Sequence, residues 1–78
     1  MKEPTEQFKQ AVRRAWGNPR RVTEAGISET FNHPDVFGFD HDDQVNNAAR
    51  IGVTAGLTAS NGPEAFIEAF TKILNEDA

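Results

Sequence analysis

The chain predicts an all-α fold: a small four-helix orthogonal or bundle-like domain with a structured loop between the second and third helices. Three observations carry that expectation. Apolar residues recur at intervals of three and four in separated stretches, the spacing of a helical face and not the alternation of a strand. Proline and glycine stand between those stretches, at the positions where helices start and stop. The 78 residues include no cysteine, so neither a disulfide nor a thiolate zinc site holds the fold and helix packing must do so. This length suits one domain, and a chain this short buries only about 60–65% of the surface its unfolded form exposes.

The first helix is expected over residues 4–16. Pro4 suits the first helical position. Phe8, Ala11, Val12, Ala15 and Trp16 share one face, and Glu6, Lys9, Gln10, Arg13 and Arg14 lie off it. Gly17 is placed to cap the end, and Asn18-Pro19 prevents continuation. Asn18 then caps a second helix with Pro19 at its first position. That helix is expected over 19–25, closed by Gly26 with Ile27 folding back on it.

Residues 28–39 read as a helical turn near 28–32 followed by a packed loop, broken at Pro34 and Gly38. Phe31, Val36, Phe37 and Phe39 are its expected anchors, because large apolar side chains so close together tend not to be left in water.

The third helix is expected over 41–58. Asp40 caps it, and Asp42 and Asp43 sit favourably at the positive end of its dipole. Val45, Ala48, Ala49, Gly52, Val53, Gly56 and Leu57 form one face, expected to pack. Ala48, Gly52 and Gly56 run a groove of small residues down it. Each glycine costs about 0.8–1 kcal/mol relative to alanine in a helix interior, so the groove needs an occupant. Trp16, or Phe66 with Phe70, would fill it within the chain; a homodimer or partner helix would fill it from outside. Ile51 lies on the other side, either under the 28–39 loop or exposed on a binding surface. On this reading the third helix is the one against which the others pack.

Residues 58–63 are turn chemistry, with Asn61 and Glu64 spaced as a capping box for a fourth helix over 62–75. Phe66, Phe70, Ile73 and Leu74 make its apolar face, supported by Ala69 and Ile67. Residues 75–78 are expected to fray.

Charge is unevenly distributed. The net charge is −4, yet residues 1–27 carry six basic side chains against three acids while the remainder carries two against nine. Arg13 and Arg14 end the first helix, where cations suit the dipole. Arg20 and Arg21 open the second, where cations are disfavoured by roughly 0.3–1 kcal/mol. Together with Trp16 they are the candidate site for a partner or anion, by pairing with carboxylate or phosphate and by stacking. The bland alternative has Trp16 in the core and the arginines paired with Glu24 or Glu29.

The segment RRVTEAGISETF resembles the helix–glycine–apolar–serine turn of helix-turn-helix DNA-binding motifs, over about a dozen of the 78 residues. That resemblance implies a recognition helix running for two further turns, with an apolar residue six places after the glycine. Here Asn32 holds that place and His33-Pro34 stops the helix, too early to present the usual side chains to a major groove. No family membership follows.

Catalytic and metal chemistry find little support. Counted from Asp40, the positions where an EF-hand needs glycine and glutamate hold Val45 and Ile51. His33 and His41 are separated by Pro34 and Gly38, not set at a turn's spacing on one face. No nucleophile elbow or phosphate loop is present. No metal or cofactor is expected. The N-terminal residues lack the apolar run of a secretion signal, and no run approaches the roughly 20 residues a membrane span needs, so a cytoplasmic location is expected. The chain reads as a small non-enzymatic binding, adaptor or regulatory module acting through protein–protein contacts. Its partner would be an acidic protein, with a homodimer as a further form. A nucleic-acid-binding regulator using Arg13, Arg14, Arg20, Arg21 and Trp16 is the alternative.

Overall fold

Four helices make up the fold in the computed structural model, which describes residues 1–76. They are α1 (Glu6–Ala15), α2 (Pro19–Thr30), α3 (His41–Thr58) and α4 (Pro63–Leu74), with no strand among the described residues. Each packs on its neighbours in the chain, and α4 returns to α1, so the four close into a bundle-like ring.

Local chemistry accounts for most helix ends. The Thr5 side chain accepts from the Phe8 N–H, so α1 begins two residues after Pro4. Gly17 follows α1 at φ 96°, a conformation that a side chain would strain. Asn18 accepts from the Arg21 N–H at 3.3 Å and caps α2 as expected. Asp40 precedes α3 but makes no side-chain cap bond. The capping box expected from Asn61 is not formed. Gly62, at φ 98°, is the N-cap of α4, with Pro63 at the first helical position.

The core is aromatic and belongs to α4. Phe66 and Phe70 are completely buried, and Phe8 stands over both, its ring centre 4.5 Å from that of Phe70 and 6.2 Å from that of Phe66. Phe37 stacks on Phe70 at 6.1 Å, and Trp16 approaches Phe66 at 6.5 Å. Such pairs add about 0.5–1.5 kcal/mol each beyond the area they bury. More of the buried side chains therefore come from α4 than from any other helix, while α3 packs on both α2 and α4.

Glycine 26 does not end α2, which runs on to Thr30. The position is buried because α3 approaches there: a Cβ on Gly26 would stand 2.5 Å from Cγ2 of Ile51. Ile51 drops into the gap that the missing side chain leaves. That contact turns α3 about its axis relative to the sequence expectation. Ile51 and Ala55 are the buried residues of α3, while Val45, Val53 and Leu57 are 52%, 62% and 74% exposed. At 3.6 residues per turn, positions two apart face about 200° from one another, so seating Ile51 turns Val53 outward. No aromatic side chain lies against the two glycines of the expected small-residue groove. Gly52 has only Thr23 Cγ2, at 3.8 Å, near its missing Cβ, and Gly56 has nothing within 4 Å. Because neither position is crowded, Gly56→Ala should stabilise the chain by about 0.8–1 kcal/mol. Thermal unfolding of dilute protein would show this as a rise of roughly 4–8 °C in Tm.

Past Thr30 the backbone tightens. The N–H groups of Phe31, Asn32 and His33 bond carbonyls three residues back, and Pro34 then blocks further helix. Of the four anchors expected in this region, Phe37 is buried and Val36 half-buried, whereas Phe31 and Phe39 are 66% and 64% exposed.

One buried carboxylate joins the two ends of this architecture. Glu29, on α2, accepts from the Thr5 backbone N–H and hydroxyl at the start of α1 and from the Asn32 amide at 2.8 Å. The chain end is tied as well. Asn75 accepts from the Lys2 N–H at 2.8 Å and donates to the Lys2 carbonyl at 2.9 Å, and Glu76 pairs with Arg50. Of the residues expected to fray, Asn75 and Glu76 make these contacts, and residues 77 and 78 lie outside the described part of the chain.

Candidate interaction surfaces

The arginines expected to act together separate into three settings. Arg13 reaches across to α4, its Nε donating to Glu64 at 2.8 Å, with Glu6 at 3.7 Å on its other side. Arg20 pairs with Glu24 one turn along α2, at 3.4 Å. Arg14 and Arg21 have no carboxylate at ion-pair distance among the described residues, and both line a shallow groove between α1 and α2. Trp16 is half-buried and packs against the core. It lines a different depression, with Pro19, Val22 and Ala55. The cluster thus reduces to Arg14 and Arg21, without an aromatic ring beside them. Glu29, named as a possible partner for the arginines, is occupied by Thr5 and Asn32 instead.

The Arg13 bond holds the Glu64 carboxyl below its ordinary value of 4.5 and raises the Arg13 guanidinium. Asp35 is likewise lowered, first by its bond to Lys2 at 2.7 Å. A carboxylate with a depressed folded-state pKa stabilises the fold above its unfolded pKa, and that contribution is lost as pH falls through the folded value. Wild type and Glu64→Gln should therefore differ in stability at neutral pH and converge in acid below the ordinary glutamate range. Chemical denaturation across pH measures it; a difference that persists unchanged in acid would refute the assignment.

His33 and His41 are not brought together. His33 is half-buried with Nε2 3.8 Å from Glu29, and His41 is exposed at the start of α3 beside Asp42. Among the described residues no group of three or more histidines and carboxylates is arranged to hold a metal ion. No described helix is long and apolar enough to cross a membrane.

Two apolar surfaces remain. The first is the outer face of α3, where Val45, Ala49, Val53 and Leu57 follow one another at four-residue spacing, all exposed, with Gly56 alongside. Of the residues expected at a helix-packing or partner interface, Gly56 lies here. Ile51 does not, being fully buried, and Ala48 and Gly52 are half-buried at the edge. The stripe was visible in the sequence as helical periodicity, but periodicity marks an apolar face without telling a core from a partner.

The second surface is a pocket between the end of α2, the loop and the first half of α3. Phe31 and Phe39 line it together with Ile27, Phe37 and Ile51. The sequence expectation missed it by assigning both exposed phenylalanines to the core.

Compared with known proteins, the chain matches no family model, and no curated protein or solved structure shows significant similarity to it.

Proposed function

We propose that this chain is a small non-enzymatic binding module that acts through protein–protein contact, with the outer face of α3 as its main contact surface. The carrying observation is the exposed line of Val45, Ala49, Val53 and Leu57. At 1.5 Å per residue it extends for about 18 Å. Single exposed aliphatic residues are ordinary, but an aligned row on one helix is a continuous apolar patch of the kind that marks an interaction site.

Gly56 supports the same reading. It lies beside the row, has no neighbour in its own chain to make room for, and weakens the helix it occupies. A helix from a partner, including a second copy of this chain, would pack closely where Gly56 and Ala49 leave the backbone uncovered. Arg14 and Arg21 offer a secondary contact for an acidic patch. Two cations without a stacking ring are a weak basis for nucleic-acid binding, and duplex titration at several salt concentrations tests that alternative.

A photo-crosslinker placed at Ala49 should form adducts with a second copy or with a partner in the native host, and one placed at the exposed Glu68 on α4 should not. Val53→Glu combined with Leu57→Glu should abolish the adducts while leaving Tm nearly unchanged, because neither side chain is buried. Equal labelling at the two positions would refute the assignment.

A further inference from the structure

The pocket framed by Phe31 and Phe39 carries a second inference, independent of the outer face of α3. Its floor is apolar, formed by Ile27, Phe37 and Ile51. It offers about 70 Å³ of space, and at roughly 10–15 Å³ for a water-sized occupant this suits one aliphatic side chain. The mouth is held in shape: Gln44 donates to the Phe39 carbonyl at 2.9 Å, tying the loop to α3.

Charge around the mouth is of one sign. Gly38 forms part of the wall, and the Asp43 carboxylate lies so close that a Cβ on Gly38 would stand 2.5 Å from its Oδ2. Asp40 is exposed next to Phe39, which lines the pocket. Among the described residues, no lysine or arginine is at ion-pair distance from either carboxylate. The lining contains no basic side chain. Exposed aromatic rings beside free carboxylates suit a cationic visitor twice over, through ring faces and through charge.

We propose that this pocket binds a basic amphipathic peptide segment of a partner protein, one aliphatic side chain entering between Phe31 and Phe39 while lysines or arginines lie against Asp40 and Asp43. The aliphatic side chain supplies the anchor, as buried apolar residues do at the centre of protein interfaces. The carboxylates supply steering and orientation, which salt weakens. An acidic segment is excluded by the same charges.

Calorimetric titration of the full chain with three synthetic peptides tests this: a lysine–leucine amphipathic peptide, its glutamate–leucine counterpart, and a lysine–serine counterpart without anchors. Only the first should bind saturably, and less tightly as salt is raised. Phe31→Ser combined with Phe39→Ser should weaken it about 30-fold or more, the scale of losing an interface anchor. Asp40→Asn combined with Asp43→Asn should weaken it and flatten its salt dependence. All four side chains are exposed, and an unchanged Tm confirms that these variants fold. Binding of the glutamate peptide with equal affinity, or either double variant binding like the parent, overturns the proposal. Loss of binding in Val53→Glu with Leu57→Glu alone places the peptide on the outer face of α3, which overturns the pocket and leaves the protein-binding reading standing.

Discussion

Leucine in place of Gly26 is expected to destabilise the domain by about 3 kcal/mol or more, and alanine by about 1–2 kcal/mol. Both add atoms where none fit, since a Cβ at this position would stand 2.5 Å from Cγ2 of Ile51. The isoleucine cannot easily swing away. Its β-branched side chain is confined to essentially one χ1 rotamer in a helix, and it is almost fully buried. Alanine gains about 0.8–1 kcal/mol in helix propensity, which offsets part of the steric cost. This is the opposite of the outcome at Gly56, where the same propensity gain meets no obstacle. A whole-domain stability of the order of 4–12 kcal/mol makes the leucine variant marginal at 37 °C. A denaturant-unfolding cycle with Ile51→Ala checks the mechanism. Truncating Ile51 alone should cost about 2–5 kcal/mol. It should cost about 0.5–3 kcal/mol less when alanine already occupies position 26. Strict additivity would show that the two residues do not meet.

The second large effect is expected at Glu29. Replacing it with alanine should remove about 2–4 kcal/mol, with Tm falling by roughly 10–20 °C. The carboxylate is buried and accepts from the Thr5 N–H, the Thr5 hydroxyl and the Asn32 amide. Its removal leaves a backbone donor at the start of α1 and an amide just beyond the end of α2 without their partner. Hydrogen bonds to a charged group contribute about 1.5–3 kcal/mol each, and the cost of desolvating the buried carboxylate offsets part of their sum. Glutamine keeps the shape but retains only one accepting oxygen, so Glu29→Gln should be destabilised by about half as much. Thermal unfolding followed by circular dichroism separates the three proteins. Equal stability of wild type and Glu29→Ala would show that water satisfies the freed groups and that this residue does not join the two helices.

How much of this was legible in the sequence differs from helix to helix. For α1 and α4 the reading was close, since Phe8, Val12, Phe66, Phe70, Ile73 and Leu74 fall on one face each and that face is the buried one. Charged residues occupy the remaining faces of α1, so only one rotation of that helix hides apolar surface. The helix α3 has no such constraint. Its residues are small or apolar on nearly every side, and either Ile51 with Ala55 or Val45 with Val53 and Leu57 can serve as the packing face. Periodicity selected the wider stripe. The choice was made in α2, by a glycine read from sequence as a helix stop, because a missing side chain there admits Ile51 and nothing larger beside it.

The candidate site followed the same division. The sequence alone determined an all-α chain, the first residue of α3 and its last, the Asn18 cap of α2, the glycine turn after α1, and the uneven charge. These rest on hydrogen bonds and dipoles acting within a turn or two. Only the tertiary structure decided which face of α3 meets solvent, that Phe31 and Phe39 frame a pocket while Phe37 enters the core, and that Arg13 is committed to Glu64 while Arg14 and Arg21 are left at a groove. Each of those outcomes depends on the distance between side chains far apart in sequence, and helical spacing carries no information about that distance.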